Sequence, residues 1–152
     1  MENYKRNFML KTIQAATDAG HIWPVMAAAE AALESGFGIS ELAIQDNNLF
    51  GMKQHVHPIF GTATLPTKEF NKVTHLWAQV EGVKWVKYPT LRDCFTDRMA
   101  TLNRLKANYP NYASALTAPN ALTYISFVSQ TWSSDPKRAA KVQAIYQEYL
   151  HG

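Results

Sequence analysis

The stretch Pro24-Val25-Met26-Ala27-Ala28-Ala29-Glu30-Ala31-Ala32-Leu33-Glu34-Ser35-Gly36-Phe37-Gly38 decides the fold. Proline suits the first turn of a helix, where its missing N–H costs nothing, and glycine suits the residue past the end. Between them lies an alanine-rich run, so the segment predicts a buried helix from Pro24 to about Ser35. Glu34 falls at its C-terminal end, where the negative pole of the helix dipole and apolar neighbours would both oppose ionisation. A carboxyl kept protonated near neutrality is what a general acid requires. Glu30, one turn earlier, shares the stripe and would add like-charge repulsion. On helix position alone either glutamate could be the functional one, and either could be a solvated charge.

Helices are expected at Asn3–Ala19, in a short turn at Ser40–Gln45, from Thr90 to a stop at Tyr109-Pro110, around Tyr112–Leu116, at Pro119–Thr131 and at Pro136–Tyr149. Thr90-Leu91-Arg92-Asp93 resembles a capping box. Leu91, Cys94, Phe95, Met99, Leu102 and Leu105 form the apolar stripe of the helix it opens. Between Phe50 and Tyr88 the composition shifts to Gly, Pro, Thr, Val and Trp, and Thr62–Phe70 and Val80–Tyr88 read as the strands of an irregular hairpin connected by Asn71–Gln79. The layout is α+β, mainly helical with a small β-hairpin. The 152 residues suit a single domain, 1–152.

Composition narrows the function. The longest apolar run, Ile22–Ala29, is eight residues, against roughly 20 for a membrane span. One cysteine, Cys94, excludes an internal disulfide framework. No apolar segment near Met1 is long enough for a signal peptide, so synthesis in the cytoplasm is expected. The net charge of +3 is uneven: residues 1–76 carry six basic and seven acidic side chains, residues 77–152 nine and five. A basic second half favours anionic partners. No basic run interleaved with aromatics appears, so nucleic acid is not the expected partner. His55 and His57, with His75 as a third, could in principle hold zinc, but a polar loop is the expectation, with no metal and no cofactor.

A second polar segment is Asp46-Asn47-Asn48-Leu49-Phe50-Gly51-Met52-Lys53. Its amides could hold a substrate's hydroxyl or acetamido groups, or staple the loop. Together the two segments, Ala31-Leu33-Glu34-Ser35-Gly36-Gly38-Ser40-Leu42-Ala43 and Asn47-Asn48-Leu49-Phe50-Gly51-Met52-Lys53, resemble the glucosaminidase family of peptidoglycan hydrolases, glycoside hydrolase family 73, which includes the flagellar muramidase domain and bacterial and phage autolysins. The resemblance continues through Thr67-Lys68-Glu69-Phe70, Trp85-Val86-Lys87-Tyr88, Asp97 and Tyr109-Pro110-Asn111-Tyr112-Ala113, covering about Pro24 to Leu150. It implies a lysozyme-like fold that cleaves the β-1,4 bond after N-acetylglucosamine in peptidoglycan.

Residue by residue, the resemblance implies Glu34 as catalytic acid, Glu69 as second carboxylate on the hairpin and Tyr112 as active-site tyrosine. A pair of carboxylates, one protonated and one ionised, agrees with glycoside hydrolysis in general. Flat aromatic faces suit sugar rings, so Phe50, Trp77, Trp85 and Tyr88 join Asn47 and Asn48 as candidate substrate contacts. Trp132 and Tyr124 are expected to be structural. The expected partner is a peptidoglycan glycan strand, met by a monomer, with a phage or prophage endolysin as the expected biological setting. The alternatives are a lytic transglycosylase or muramidase on the same fold, or a glycan-binding module without activity.

Overall fold

Helix α2, Pro24–Ser35, follows α1, Asn3–Asp18, and packs against it, in a computed structural model that describes residues 1–152. Met26 through Ala32, Glu30 included, are all buried. Their small side chains let neighbouring helices approach closely, which is why so short a helix can be covered almost all round. It ends in three successive left-handed residues, Gly36, Phe37 and Gly38 at φ 59°, 57° and 81°. The positive φ at position 38 favours glycine, and a Cβ there would lie 3.0 Å from two ring carbons of Phe8, which would have to give way. Ser35 ties the turn together: its Oγ donates to the Ala31 carbonyl and accepts from the Gly38 N–H at 2.9 Å.

The short α3, Glu41–Asp46, is capped by the Ser40 hydroxyl, which accepts from the Ala43 N–H. Two long antiparallel strands follow, β1 at Gly61–Asn71 and β2 at Leu76–Lys87. The connection is shorter than expected, and the pairing extends to Asn71 and Leu76. The irregularity sits instead at Pro66. Pro66 alone opposes Glu81 and Gly82, between the pairs Leu65–Val83 and Thr67–Val80. Gly82, at φ 69°, takes the extra residue of this bulge, and proline, which cannot donate to a ladder, sits where no ladder bond is needed.

Four more helices complete the chain: α4 at Leu91–Leu105, α5 at Pro110–Leu116, α6 at Ala121–Trp132 and α7 at Arg138–His151. The Thr90 hydroxyl accepts from the Asp93 N–H, as the capping pattern predicted. Helix α7 packs on α2, and α4 on α1, so charged side chains distant in sequence meet beneath α2. The apolar stripe of α4 is amended by the structure. Cys94, Phe95 and Leu102 are buried, but Met99 is only half-buried, and Arg98 and Thr101 take the interior positions. The fold is α+β and lysozyme-like: seven helices with one two-stranded hairpin beside them. No helix is long and apolar enough to cross a membrane.

Candidate active site

The Asp46–Gln54 segment is pinned to the end of β2 through Asn48. The Asn48 Nδ2 donates to the carbonyls of Met52 (3.0 Å) and Val86 (2.9 Å), and its Oδ1 accepts from the Met52 N–H (2.9 Å). These three bonds make Asn48 the staple of the loop, and it also lines the smaller of the two cavities at Glu34. Asn47, left-handed at the end of α3, donates to the Tyr88 and Pro89 carbonyls and does the same work from the other side. The strand-like pairing of Lys53 with Trp85 finishes the attachment.

This pinned loop, the end of α2 and the C-terminal helices enclose two cavities that meet at Glu34. The larger, about 450 Å³, is walled by Phe50, Trp85, Arg104, Tyr112, Trp132 and Glu34 among others. The other, about 210 Å³, runs beneath the hairpin past Ser40, Glu41, Leu65, Pro66 and Thr67, again with Glu34. Glu34, Gly51 and Trp85 stand in the walls of both. Trp85 is held in place by its indole N–H, which donates to the Leu65 carbonyl at 3.2 Å.

Glu34 does not sit in the apolar surroundings that its alanine-rich helix suggested. Its side chain is a quarter exposed, and its Oε1 accepts from the Arg138 Nε–H at 2.9 Å. Glu30 is the buried one, with no exposure at all, and its Oε2 accepts from both Arg98 Nη2 and Arg138 Nη2 at 2.6 Å. Burial alone would push its carboxyl up, but the two guanidinium ions outweigh burial and hold it below the usual carboxylate range. Glu30 stays ionised in the interior as an anchor for two arginines, and the general-acid candidacy passes to Glu34.

Tyr112, at 3 % exposure, shares the larger cavity with Glu34. Burial raises its phenol above the ordinary range although Arg98 and Arg138 pull the other way, so it presents a neutral O–H. Trp132, expected to be structural, instead walls the cavity, with the Arg98 guanidinium 3.8 Å from its ring centroid. Phe50 lies on that guanidinium as well, at 4.5 Å. Tyr124 is buried as expected, 3.2 Å from the Nε2 of His21, whose Nδ1 accepts from the Trp23 N–H. That pattern makes His21 the neutral tautomer with its proton on Nε2, and burial together with Arg98 lowers its pKa to about 4.

Three other candidates lie apart from the cavities that Glu34 walls. Tyr88 is buried, and its hydroxyl donates to Asp97; burial raises its phenol well above the ordinary range. Trp77 stands near the hairpin turn, 69 % exposed, its ring centroid 5.3 Å from that of Phe70 with the planes tilted by 46°. Glu69 is on the same exposed reach of β1, and its Oε1 pairs with Lys53 Nζ at 3.0 Å. Lys53 belongs to the larger cavity's wall, and Thr67, two residues from Glu69, to the smaller one's, so Glu69 stands at the rim through these neighbours. His55, His57 and His75 form no metal-binding group.

Arg98 and Arg138 escaped the sequence reading, although a signal existed. Arg98 falls on the buried stripe between Phe95 and Leu102, and Glu30 within an alanine helix. A charge on an apolar face requires an opposite charge, so each implied the other.

Comparison with known proteins agrees with this architecture. Residues 10–151 match the family model described as "Glucosaminidase: Mannosyl-glycoprotein endo-beta-N-acetylglucosaminidase". The chain is 31% identical over 133 residues to the exo-glucosaminidase LytG of Bacillus subtilis, covering 85% of this chain but 45% of that protein, so it spans about half of the curated relative. The catalytic domain of the autolysin Auto from Listeria monocytogenes superimposes with a TM-score of 0.81 at 22% identity, over 99% of this chain and 86% of that one. A glycoside hydrolase domain from Salmonella typhimurium FlgJ superimposes with a TM-score of 0.74 at 24% identity, over 97% and 99%. With nearly its whole length matched by the family model, the chain belongs to the glucosaminidase family of glycoside hydrolases.

Proposed function

We propose that this domain hydrolyses the β-1,4 bond after N-acetylglucosamine within peptidoglycan strands, as an endo-acting enzyme. The observation that carries the reading is that the two cavities join at Glu34, giving space for sugars on both sides of one carboxyl group. An exo-acting enzyme also holds a sugar on each side of the bond but closes the groove beyond the terminal one; both cavities here open to solvent, which favours internal cleavage although the Bacillus relative is named an exo-glucosaminidase. Glu34 gives its proton to the departing glycosidic oxygen as the bond to C1 breaks. Water completes the reaction at C1, either directly or after the substrate's own acetamido oxygen has attacked. Tyr112 supplies a neutral hydroxyl to the same cavity, and Trp85, Phe50 and Trp132 offer faces to sugar rings. Glu69 serves as base or charge stabiliser once the hairpin brings it over the groove.

The test is mass spectrometry of fragments released from purified sacculi by the wild type and by Glu34→Gln. Fragments with a reducing N-acetylglucosamine end, with oligosaccharides early in the digest, are expected. Glu34→Gln should lower turnover ~10²–10⁴-fold while remaining folded, since glutamine cannot donate the proton. Disaccharides from the first time point would make the enzyme exo-acting, 1,6-anhydro ends a transglycosylase, and no release a binding module.

A further inference from the structure

Glu34 and Glu30 share one guanidinium. Arg138 donates from Nε to Glu34 Oε1 at 2.9 Å, from Nη2 to Glu30 Oε2 at 2.6 Å and from Nη1 to Ser129 Oγ at 2.9 Å. All three of its nitrogens are engaged, and the group is planar, so the direction of its Nε–H is locked. The side chain is 1 % exposed. Glu30 Oε2 also takes Arg98 Nη2 at 2.6 Å, and Arg98 is clamped between Trp132 and Phe50. Glu34 Oε2 makes no hydrogen bond within the chain.

We propose that Arg138 is the positioning residue of Glu34, and that Glu30, by sharing Arg138, keeps that arginine from holding Glu34 as a permanent carboxylate. The inference rests on Glu34 as proton donor. Arg138 pins Oε1, so the proton is carried on Oε2, the oxygen free to face the groove. A general acid must hold its proton until the bond breaks, whereas an arginine at hydrogen-bond distance favours the ionised form. The balance lies in the count of charges. Arg98, Arg138, Glu30 and ionised Glu34 sum to zero, and protonating Glu34 makes the cluster +1. Without the Glu30 charge the same step runs from +1 to +2, and the proton is harder to keep. Without the Arg138 charge it runs from −1 to zero, and the proton is easier to keep. The other titratable or charged groups around Glu34 are Glu41 after Ser40, Lys53 on the pinned loop, Arg104 on α4 and Tyr112 on α5, with Glu69 reaching the site only through Lys53. Arg138 alone is within hydrogen-bond distance of the Glu34 carboxylate.

The experiment is the pH profile of kcat on peptidoglycan for wild type, Glu30→Gln, Arg138→Gln and Arg138→Lys. The basic limb reports loss of the acid's proton. Glu30→Gln should move that limb to lower pH and Arg138→Gln to higher pH, each by about one unit, the size expected of one nearby charge. Arg138→Lys should leave the limb in place while lowering kcat, because charge is restored without the locked direction. Limbs that stay put, or move the same way in Glu30→Gln and Arg138→Gln, would overturn the proposal. Should a variant fail to fold, the wild type answers by side-chain ¹⁵N resonance. The Arg138 Nε–H signal must titrate with the midpoint of the basic limb, and a signal indifferent to that midpoint overturns it. Full turnover in Glu34→Gln would instead remove the reading of Glu34 on which this rests.

Discussion

Two carboxylates carry the candidate chemistry, and their surroundings could hardly differ more. Glu34 stands on a helix whose floor is a locked set of charges: Arg138, Glu30 and Arg98, each at most 1 % exposed. Glu69 stands on a hairpin whose outer half is bare, with Phe70, Val73, Leu76 and Trp77 between 44 % and 88 % exposed. Glu69's ionic partner, Lys53, is itself more than half exposed, and such pairs contribute only ~0–1 kcal/mol. The floor holds Glu34 Oε1 through a buried arginine whose three nitrogens are all engaged. The hairpin, by contrast, can move at little cost, since regions with few buried contacts open locally. Cleaving a bond inside a long polymer uses both properties: a fixed donor, and a second wall that yields while the strand enters.

The contrast breaks first, if it breaks, at Glu30. Glu30→Ala leaves Arg98 and Arg138 buried with their shared anion gone, and should cost about 3–5 kcal/mol of stability. A urea midpoint near that of the wild type would show that the floor is not locked as described.

Acid tests the same floor without mutation. His21 is about 4 in the folded protein and 6.5 when free, so between these values the unfolded chain binds more protons. The sign follows: stability is full above about pH 6.5 and falls as pH drops toward 4, by roughly 3 kcal/mol. Glu30, held below the usual range, adds its loss lower still, as pH falls through its folded value. Denaturation curves at pH 7 and 4.5 should show the drop, and His21→Asn should flatten it.

On the hairpin, Glu69→Gln should lower turnover by more than about tenfold, though less than Glu34→Gln if the acetamido group supplies the nucleophile. The acidic limb of its pH profile should be lost, while its melting temperature stays near the wild type's. Unchanged rate and profile would leave Glu34 working with Tyr112 or Asp97. The smallest effect belongs to Trp77→Ser, expected to change stability within ~0.5 kcal/mol and turnover not at all. A marked loss of turnover there would mean that the glycan reaches the hairpin's outer half.

Much of this was legible in the residues alone. Both ends of α2 and the start of α4 follow from Pro24, Gly36 and Thr90, because caps depend on atoms a few residues apart, whereas α4 stops at Leu105, short of the expected Tyr109-Pro110. The hairpin's existence was clear from composition, yet its length was not, because the outer pairs bury too little to leave a hydrophobic pattern. The amides at Asn47 and Asn48 were rightly singled out but could not be assigned, since an amide that binds sugar and one that staples a loop look identical until its partners are in place. Neighbours along the chain set the helices and the turn at Gly36–Gly38, whereas only the family resemblance chose Glu34 over Glu30. Which glutamate is buried, which faces the groove and that Arg138 joins them are outcomes of packing. Glu30 meets Arg98 and Arg138 across 68 and 108 residues. The energy of a charge depends on what surrounds it after packing, and no local pattern carries that information.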